Sequence, residues 1–258
     1  MKKAIQLIAV LGLVAGISSA VRADLVTNGG FETTTINGVT THASGQLSNG
    51  GYALTDWTNL SDGHGHFGYN FVFAPGTADT SGAGSSHLKL WGPVDGSNNG
   101  LPAHSPTGGN YVAADGAYET GAISQTINGL TIGNTYAVSF WYAGAQQHGY
   151  DGPTTEAWKV SLGNMQFKTP VLHNATHGFT GWKPQTFNYT ATATSEALQF
   201  LAVGTPNGTP PFTLLDGVTV TPTTPEGSSL ALLVMGLGSI GFVARRGSRA
   251  AKSAKSGS

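Results

Sequence analysis

The chain has no cysteine, few charged residues and no long helical pattern. Without cysteine, no disulfide can brace the fold, so the core must hold by packing and hydrogen bonding alone. Charged residues make up only 10% of the sequence. Before residue 230, no long window repeats its apolar residues with the 3.6-residue period of an amphipathic helix. Helix is therefore expected to be a minor element of the fold.

Sequence signatures of several enzyme classes are also absent. No Gly-x-Ser-x-Gly pentapeptide marks a serine hydrolase, and neither a P-loop nor a dinucleotide-binding fingerprint occurs. The acid pair Asp115 and Glu119 suggests glycosidase carboxylates. The Asp-Gly-His-Gly-His stretch at residues 62–66 suggests metal ligands, but no further ligands or orienting groups accompany it, which favours a Gly-rich loop with solvated histidines. A secreted hydrolase is thus an alternative rather than the leading hypothesis.

Basic residues are concentrated at the two ends of the chain. Between residues 24 and 222, four lysines stand against twelve acidic residues, a net formal charge of −8, although the whole chain carries only −1. Nucleic-acid binding depends on neutralising phosphates with basic side chains. We therefore expect no nucleic-acid partner for the middle of the chain.

The N-terminus has the architecture of a secretory signal peptide. Lys2 and Lys3 precede an apolar run at residues 4–17, and small residues follow it. This order predicts export and cleavage by signal peptidase after Ala23, with Ala20 as the alternative site. Residues 1–23 are accordingly assigned to the signal peptide.

The C-terminus is predicted to anchor the exported protein in the inner membrane. An uncharged stretch at residues 229–244 is followed by a basic tail at residues 245–258. At ~1.5 Å per helical residue, residues 230–244 reach ~22 Å, which is short of the ~30 Å hydrocarbon core. The stretch therefore predicts a marginal transmembrane helix whose basic tail stays in the cytoplasm, with the main domain outside the inner membrane.

The residues around this stretch resemble the PEP-CTERM sorting signal of Gram-negative, often biofilm-forming bacteria. Pro225 and Glu226 match the start of its Pro-Glu-Pro motif, Gly227 stands where the second proline is usual, and the tail after Arg246 is longer than typical. The resemblance implies that residues 223–258 form the sorting signal. It also implies cleavage near the motif by an exosortase-like enzyme and passage to the cell surface or the extracellular matrix.

The middle of the chain, residues 24–222, is predicted to be one all-β domain. Apolar and polar residues alternate at 135–142 and 157–162, as in half-buried strands. Further candidate strands lie at 25–31, 87–91, 110–113, 122–127, 164–168, 186–191, 197–203 and 214–220. Many short strands, together with 38 glycines to form tight turns, favour a β-sandwich.

Three stretches resemble the galactose-binding-like jelly-roll domains that include many carbohydrate-binding modules. They are Leu-Val-Thr-Asn-Gly-Gly-Phe-Glu at residues 25–32, the region from Ile-Ser-Gln-Thr to Val-Ser-Phe-Trp at residues 123–141, and Leu-Leu-Asp-Gly-Val-Thr-Val at residues 214–220. The resemblance implies a single jelly-roll β-sandwich in which the first and last strands pair or lie side by side.

Glu32 and Asp216 would then converge from opposite ends of the domain. Related jelly rolls often hold calcium where these strands meet, so the resemblance implies a structural Ca2+ bound by the two carboxylates, with carbonyls of residues 28–30 as further candidates. Calcium takes six to eight oxygen ligands. The alternative is that Glu32 ends a strand and Asp216 opens a turn, with no ion between them.

Aromatic side chains supply the candidate ligand-binding residues. Trp158 shares a strand face with Val160 and Leu162 and is expected to be buried. Trp57 resembles the early tryptophan that such domains bury between their sheets. Trp91 and Trp141 lie opposite their apolar neighbours, so they are the candidate platforms for sugar rings, and Tyr118 is a third candidate.

The leading hypothesis is an exported, non-catalytic protein that binds glycan or exopolysaccharide in the extracellular matrix. A structural surface protein without a small ligand is the first alternative, and a secreted, glycan-active hydrolase is the second. Exposure of the candidate aromatics on one concave face favours glycan binding. Their burial favours the structural role, and carboxylates or histidines clustered in a cleft favour the enzyme.

Overall fold

The computed structural model describes residues 23–223. The predicted signal peptide, apart from Ala23, lies outside the described residues. So do Pro225, Glu226, the predicted transmembrane stretch 229–244 and the basic tail. Among residues 23–223, no helix is long and apolar enough to cross a membrane.

Fifteen β-strands and one short 3-10 helix, Pro93–Asp95, form the described part of the chain. The strands are β1 (Thr34–Ile36), β2 (Val39–Thr41), β3 (Gly45–Gln46), β4 (Tyr52–Leu54), β5 (Thr58–Asn59), β6 (Asn70–Phe73), β7 (Tyr111–Asp115), β8 (Ile123–Asn128), β9 (Thr135–Gln146), β10 (Thr154–Leu162), β11 (Met165–Lys168), β12 (Leu172–Asn174), β13 (Lys183–Thr190), β14 (Ser195–Thr205) and β15 (Pro211–Pro222). The prediction of an all-β sandwich with little helix is confirmed.

The strands form two large sheets and one small sheet. The front sheet has the order β13-β9-β15-β7-β6-β3. The back sheet has the order β11-β10-β14-β8-β5, and β12 also pairs with β10. The small sheet is β2-β1-β4. From β7 to β10 and from β13 to β15, successive strands alternate between the front and back sheets, which gives the sandwich a jelly-roll-like connectivity.

The main core lies between the two large sheets and is built around Phe200. Trp57, Phe140 and Trp158 all pack within 6.2 Å of the Phe200 ring, measured between ring centroids, and most of these contacts are edge-to-face. Trp158 and Trp57 are both buried, as the sequence predicts. The Trp158 indole N–H donates to the Leu214 carbonyl at 3.0 Å, which satisfies its one polar group.

A second hydrophobic layer covers part of the outer face of the front sheet. Val72 and Val112 face the main core, whereas their neighbours Phe71 and Tyr111 point outward, as alternation along a strand requires. The outward side chains pack against buried residues of the long segment 74–109, and Phe179 and Trp182 join them. This segment supplies Ala78, Ala83, Leu88, Leu90 and Leu101. One half of the outer face is therefore closed to ligands.

Two predicted strands do not form. Residues 25–31 are not a strand because Asn28 and Phe31 adopt left-handed backbone angles, with φ of 50° and 60°. The segment still lies beside β15, since the Leu25 N–H donates to the Val220 carbonyl at 3.0 Å. The expected proximity of the two ends is therefore confirmed. Residues 87–91 form only isolated bridges, for example between Leu90 and Gln147.

Candidate functional site

The other half of the outer face of the front sheet is open and carries an array of hydroxyl groups. We call this array the hydroxyl face. It comprises three cross-strand rows on β13, β9 and β15 with the residue that directly follows β15: Thr186, Ser139 and Thr219; Asn188, Ala137 and Thr221; and Thr190, Thr135 and Thr223. All nine side chains are exposed or half-buried. Adjacent strands lie ~4.8 Å apart, and alternate residues along a strand lie ~6.8 Å apart, so the hydroxyls form a regular lattice.

Hydrogen bonds between neighbouring strands hold parts of this lattice in place. The hydroxyls of Ser139 and Thr186 are 2.9 Å apart, and those of Thr135 and Thr190 are 3.3 Å apart. Each hydroxyl can donate one hydrogen bond and accept two, so these pairs keep further capacity for a ligand. The face therefore offers both donors and acceptors at fixed spacing.

Trp141 stands at one end of the hydroxyl face. It lies on β9, two residues beyond Ser139 and directly opposite Asp216 of β15, and its side chain is half-buried. A Cβ placed on Gly217 would lie 3.4 Å from the indole Cδ1. Gly217 itself has φ of 62°, at the irregularity that shifts the register of β15 after Asp216. The bulge thus brings the indole beside the Asp216 carboxyl.

Glu32 and Asp216 lie close together, as the sequence predicts. A Cβ placed on Gly30 would be 3.9 Å from Glu32 Oε1 and 4.0 Å from Asp216 Oδ1. Glu32 Oε1 accepts a hydrogen bond from the Asn110 N–H at 2.9 Å. A side chain at Gly109 would clash with the same carboxylate, so glycine is needed there for close approach of the backbone.

The Asp216 carboxyl is fully buried and only half satisfied. Its Oδ2 accepts hydrogen bonds from the hydroxyls of Ser105 and Thr107, whereas its Oδ1 has no partner in the described part of the chain. Burial is the main cause that raises the pKa of Asp216, hydrogen bonds from Ser105, Thr107 and the Gly217 backbone lower it, the negative charge of Glu32 raises it, and together these effects give a pKa of about 6. A buried, unpaired carboxylate oxygen beside a second carboxylate is a site that a cation would stabilise.

Two of the carbonyls proposed as further calcium ligands, those of Asn28 and Gly29, already accept hydrogen bonds within the protein. The Asn28 carbonyl accepts hydrogen bonds from the Phe31 N–H and the Trp57 indole N–H, and the Gly29 carbonyl accepts one from the Val218 N–H. Both are thus already engaged. Within residues 23–223, no group of three or more histidine or acidic side chains is arranged to hold a metal, so any ion here would depend on hydroxyl, carbonyl or water oxygens as well.

Trp91 lies apart from Trp141, at the end of the domain. Its backbone N–H donates to the carbonyl of Gln146, which lies five residues beyond Trp141 on β9, or ~17 Å along the strand, and its indole N–H donates to the Tyr150 carbonyl at 3.0 Å. The half-buried indole is flanked by His177 at 3.8 Å and by His148 at 4.3 Å between ring centroids. With two imidazoles this close, the indole has little free face, so a sugar ring could stack on it only by displacing one of them.

Tyr118 lies at the same end of the domain as Trp91. Its ring is 51% exposed and packs edge-on against Tyr69, with ring centroids 5.4 Å apart. A hydrogen bond with Glu119 and that group's negative charge raise the pKa of Tyr118. The three predicted aromatics are therefore all at least partly exposed, but Trp141 lies well away along β9 from the part of the domain that carries Trp91. Their role in binding stays a prediction.

Two carboxyl groups are buried: that of Asp115, which belongs to the acid pair noted in the sequence, and that of Glu156, which the sequence did not single out. Burial raises the pKa of Asp115 to about 6 and that of Glu156 to about 8, while hydrogen bonds to each carboxyl act in the opposite direction. In neither case does a neighbouring carboxylate contribute to the shift of the pKa. The burial of these acidic side chains could not be predicted from the sequence, because it depends on how the two sheets pack.

The histidine-containing loop at residues 62–66 is exposed. Asp62 Oδ1 accepts the backbone N–H groups of His64 and His66 at 2.7 and 3.2 Å, and these hydrogen bonds lower the pKa of Asp62. The loop is thus a local turn stabilised by its own aspartate.

No protein-family model and no curated protein matches the sequence. Among solved structures, a family 4 carbohydrate-binding module is 19% identical to the chain over 76% of its length and 99% of that module, with a TM-score of 0.36. A family 61 carbohydrate-binding module, solved with β-1,4-galactotriose, is 19% identical over 78% of this chain and 99% of that module, with a TM-score of 0.37. The xylan-binding domain of a Paenibacillus barcinonensis protein is 11% identical over 70% of this chain and 94% of that domain, with a TM-score of 0.35. At these values the function of the chain has to be argued from its own residues.

Proposed function

We propose that the domain is a non-catalytic module that binds a polysaccharide chain across the hydroxyl face, with Trp141 stacking on one sugar ring. The observation that carries the proposal is the position of a half-buried indole at the end of an open array that includes seven serine and threonine hydroxyls. Sugar rings present apolar faces, which pack on aromatic rings, and hydroxyls, which both donate and accept hydrogen bonds. A repeating lattice suits an extended chain better than a single sugar.

The proposal is tested by affinity gel electrophoresis on purified polysaccharides, including the exopolysaccharide of the producing cells. Trp141→Ala and the double variant Thr186→Val, Thr221→Val should each weaken retardation, since they remove the stacking ring and two of the hydroxyls. Thr126→Val is the control, because Thr126 is an exposed threonine on β8 of the back sheet. If no polysaccharide retards the wild-type protein, the structural role without a small ligand replaces this proposal.

We also propose that a calcium ion binds between Glu32 and Asp216. Support comes from the unpaired Asp216 Oδ1, the adjacent Glu32 carboxylate and the hydroxyls of Ser105 and Thr107, a donor set made of oxygens, as calcium prefers. The ion would hold the N-terminal segment against β15, next to Trp141. Calcium should raise the thermal midpoint and a chelator should lower it.

The double variant Glu32→Gln, Asp216→Asn separates this site from unspecific effects of calcium. It should lose the shift in thermal midpoint, whereas Asp62→Asn, in the exposed loop, should keep it. An equal shift in the double variant and the wild type would rule out this site.

We propose further that the protein is exported, held at the inner membrane by residues 229–244 and then passed to the cell surface or matrix. Support comes from the sequence patterns at residues 1–23 and 223–258, including Ala23, Pro225 and Glu226. Signal peptidase and an exosortase-like enzyme are the expected processing partners. Aspartates in place of Leu232, Leu233 and Leu237 should move the protein to the soluble fraction, and unchanged fractionation would contradict the anchor.

A further inference from the structure

A groove of about 430 Å³ crosses the outer face of the back sheet. Its lining includes Lys159 and Ser161 of β10, Gln166 and Lys168 of β11, and Gln199 and Leu201 of β14. The hydroxyl face lies on the outer face of the other sheet. The groove is therefore a second surface, separate from the one proposed above, and its volume falls within the ~300–1,000 Å³ of small-molecule sites.

The positive charge of the two lysines in this groove is not balanced by acidic side chains of the protein. Lys159 and Lys168 are direct cross-strand partners on antiparallel strands, an arrangement in which like charges destabilise the sheet. Both are exposed, and neither forms an ion pair with any residue in the described part of the chain. Residues 24–222 contain only four lysines against twelve acids, and the groove holds two of the four. A third, Lys89, is already paired with Asp95 at 2.5 Å.

We propose that this groove binds a uronate-containing, and hence acidic, polysaccharide, with a sugar carboxylate held between Lys159 and Lys168. An ammonium group is a compact point charge that suits a single carboxylate, and a bound carboxylate relieves the repulsion between the two lysines. The amides of Gln166 and Gln199 and the hydroxyl of Ser161 supply donors and acceptors for sugar hydroxyls. This polar surround favours a polyhydroxylated ligand over a bare anion. Recognition by charge also distinguishes this site from the hydroxyl face, whose nine side chains are all uncharged.

The test is isothermal titration calorimetry of the full-length protein with tri-galacturonate, with neutral galactotriose as the comparison ligand. The protein should bind tri-galacturonate at low ionic strength, bind it more weakly as salt is added, and bind it in preference to galactotriose. The double variant Lys159→Gln, Lys168→Gln should weaken binding roughly tenfold, as expected for the loss of two exposed charge contacts. Lys183→Gln is the matched control, an exposed lysine outside the groove, and it should bind like the wild type.

Three results would overturn the proposal: no binding of tri-galacturonate at low salt, equal loss in the Lys183→Gln control, or equal affinity for galactotriose in the variant Thr186→Val, Thr221→Val. A thermal melt of the double variant shows that lost binding is not lost folding, since removing like charges should leave the midpoint unchanged or higher. The variant Thr186→Val, Thr221→Val should keep its affinity for tri-galacturonate. Binding at the hydroxyl face and binding at the groove are therefore tested by separate variants, so that one proposal can be refuted without the other.

Discussion

Glu156 should make the stability of this domain depend on pH, and replacing it with glutamine should remove that dependence. The side chain is fully buried on β10, against Gly144, and the Thr154 hydroxyl donates to its Oε1 while its Oε2 has no partner within residues 23–223. Burial raises the pKa of Glu156 from 4.5 to about 8, and the hydrogen bond from Thr154 offsets only part of that increase.

The sign of the effect follows from proton counting. The folded protein keeps the Glu156 proton up to pH about 8, whereas the unfolded chain releases it near pH 4.5. Between these values the folded state binds one proton more, so the free energy of unfolding falls by ~1.36 kcal/mol for each pH unit gained. By pH 7 the accumulated loss is about 3 kcal/mol, and above pH 8 it stops growing. Glutamine does not ionise, so Glu156→Gln should escape this loss.

Urea denaturation of both proteins at several pH values between 5 and 8 measures the difference. The advantage of Glu156→Gln should widen steadily with pH. Glu196 is a contrasting control: although burial raises its pKa, hydrogen bonds from Tyr189 and Thr192 lower it overall. Glu196→Gln should therefore lose stability relative to the wild type at neutral pH, and lose less in acid. Parallel pH profiles for the wild type and Glu156→Gln would refute the assignment of a proton to the buried carboxyl.

Two further predictions concern packing and backbone. Trp158→Ala should lower the free energy of unfolding by ~3–5 kcal/mol in urea denaturation, because it empties a fully buried site and leaves the Leu214 carbonyl without its donor. A loss below ~1 kcal/mol would place Trp158 outside the core. Gly109→Ala should destabilise more than Gly133→Ala, although both glycines have positive φ, because only at Gly109 would the new Cβ strike the Glu32 carboxylate. Equal melting midpoints for the two variants would contradict that close approach.

Alternation along the longer strands made the sandwich predictable from sequence. The predicted strands 135–142 and 157–162 lie within β9 and β10, and their apolar residues face the main core. The prediction of a strand at residues 25–31 was wrong, because the left-handed backbone of Asn28 and Phe31 interrupts the extended conformation that a strand requires. The strands of two to four residues between 34 and 73 were too short to show a period of two.

The candidate sites were predictable only in part. The convergence of Glu32 and Asp216 followed from resemblance to known jelly rolls, not from any local pattern. Threonines at every second position in 219–223 mark one strand of the hydroxyl face, but the face itself requires the register that joins three strands distant in sequence. Likewise, Lys159 and Lys168 become neighbours only through the hairpin of β10 and β11.

The two proposed surfaces lie on the outer faces of opposite sheets, and this arrangement bears on what the domain could do in a matrix. Packed sheets are ~10 Å apart, and the aromatic core fills the space between them, so a sugar ring packed on Trp141 does not touch the lysine groove. Each domain could then hold two polysaccharide chains at once, one by stacking and hydroxyl contacts and the other by charge. Binding that joins separate chains would strengthen a matrix through multivalency even if each contact were weak.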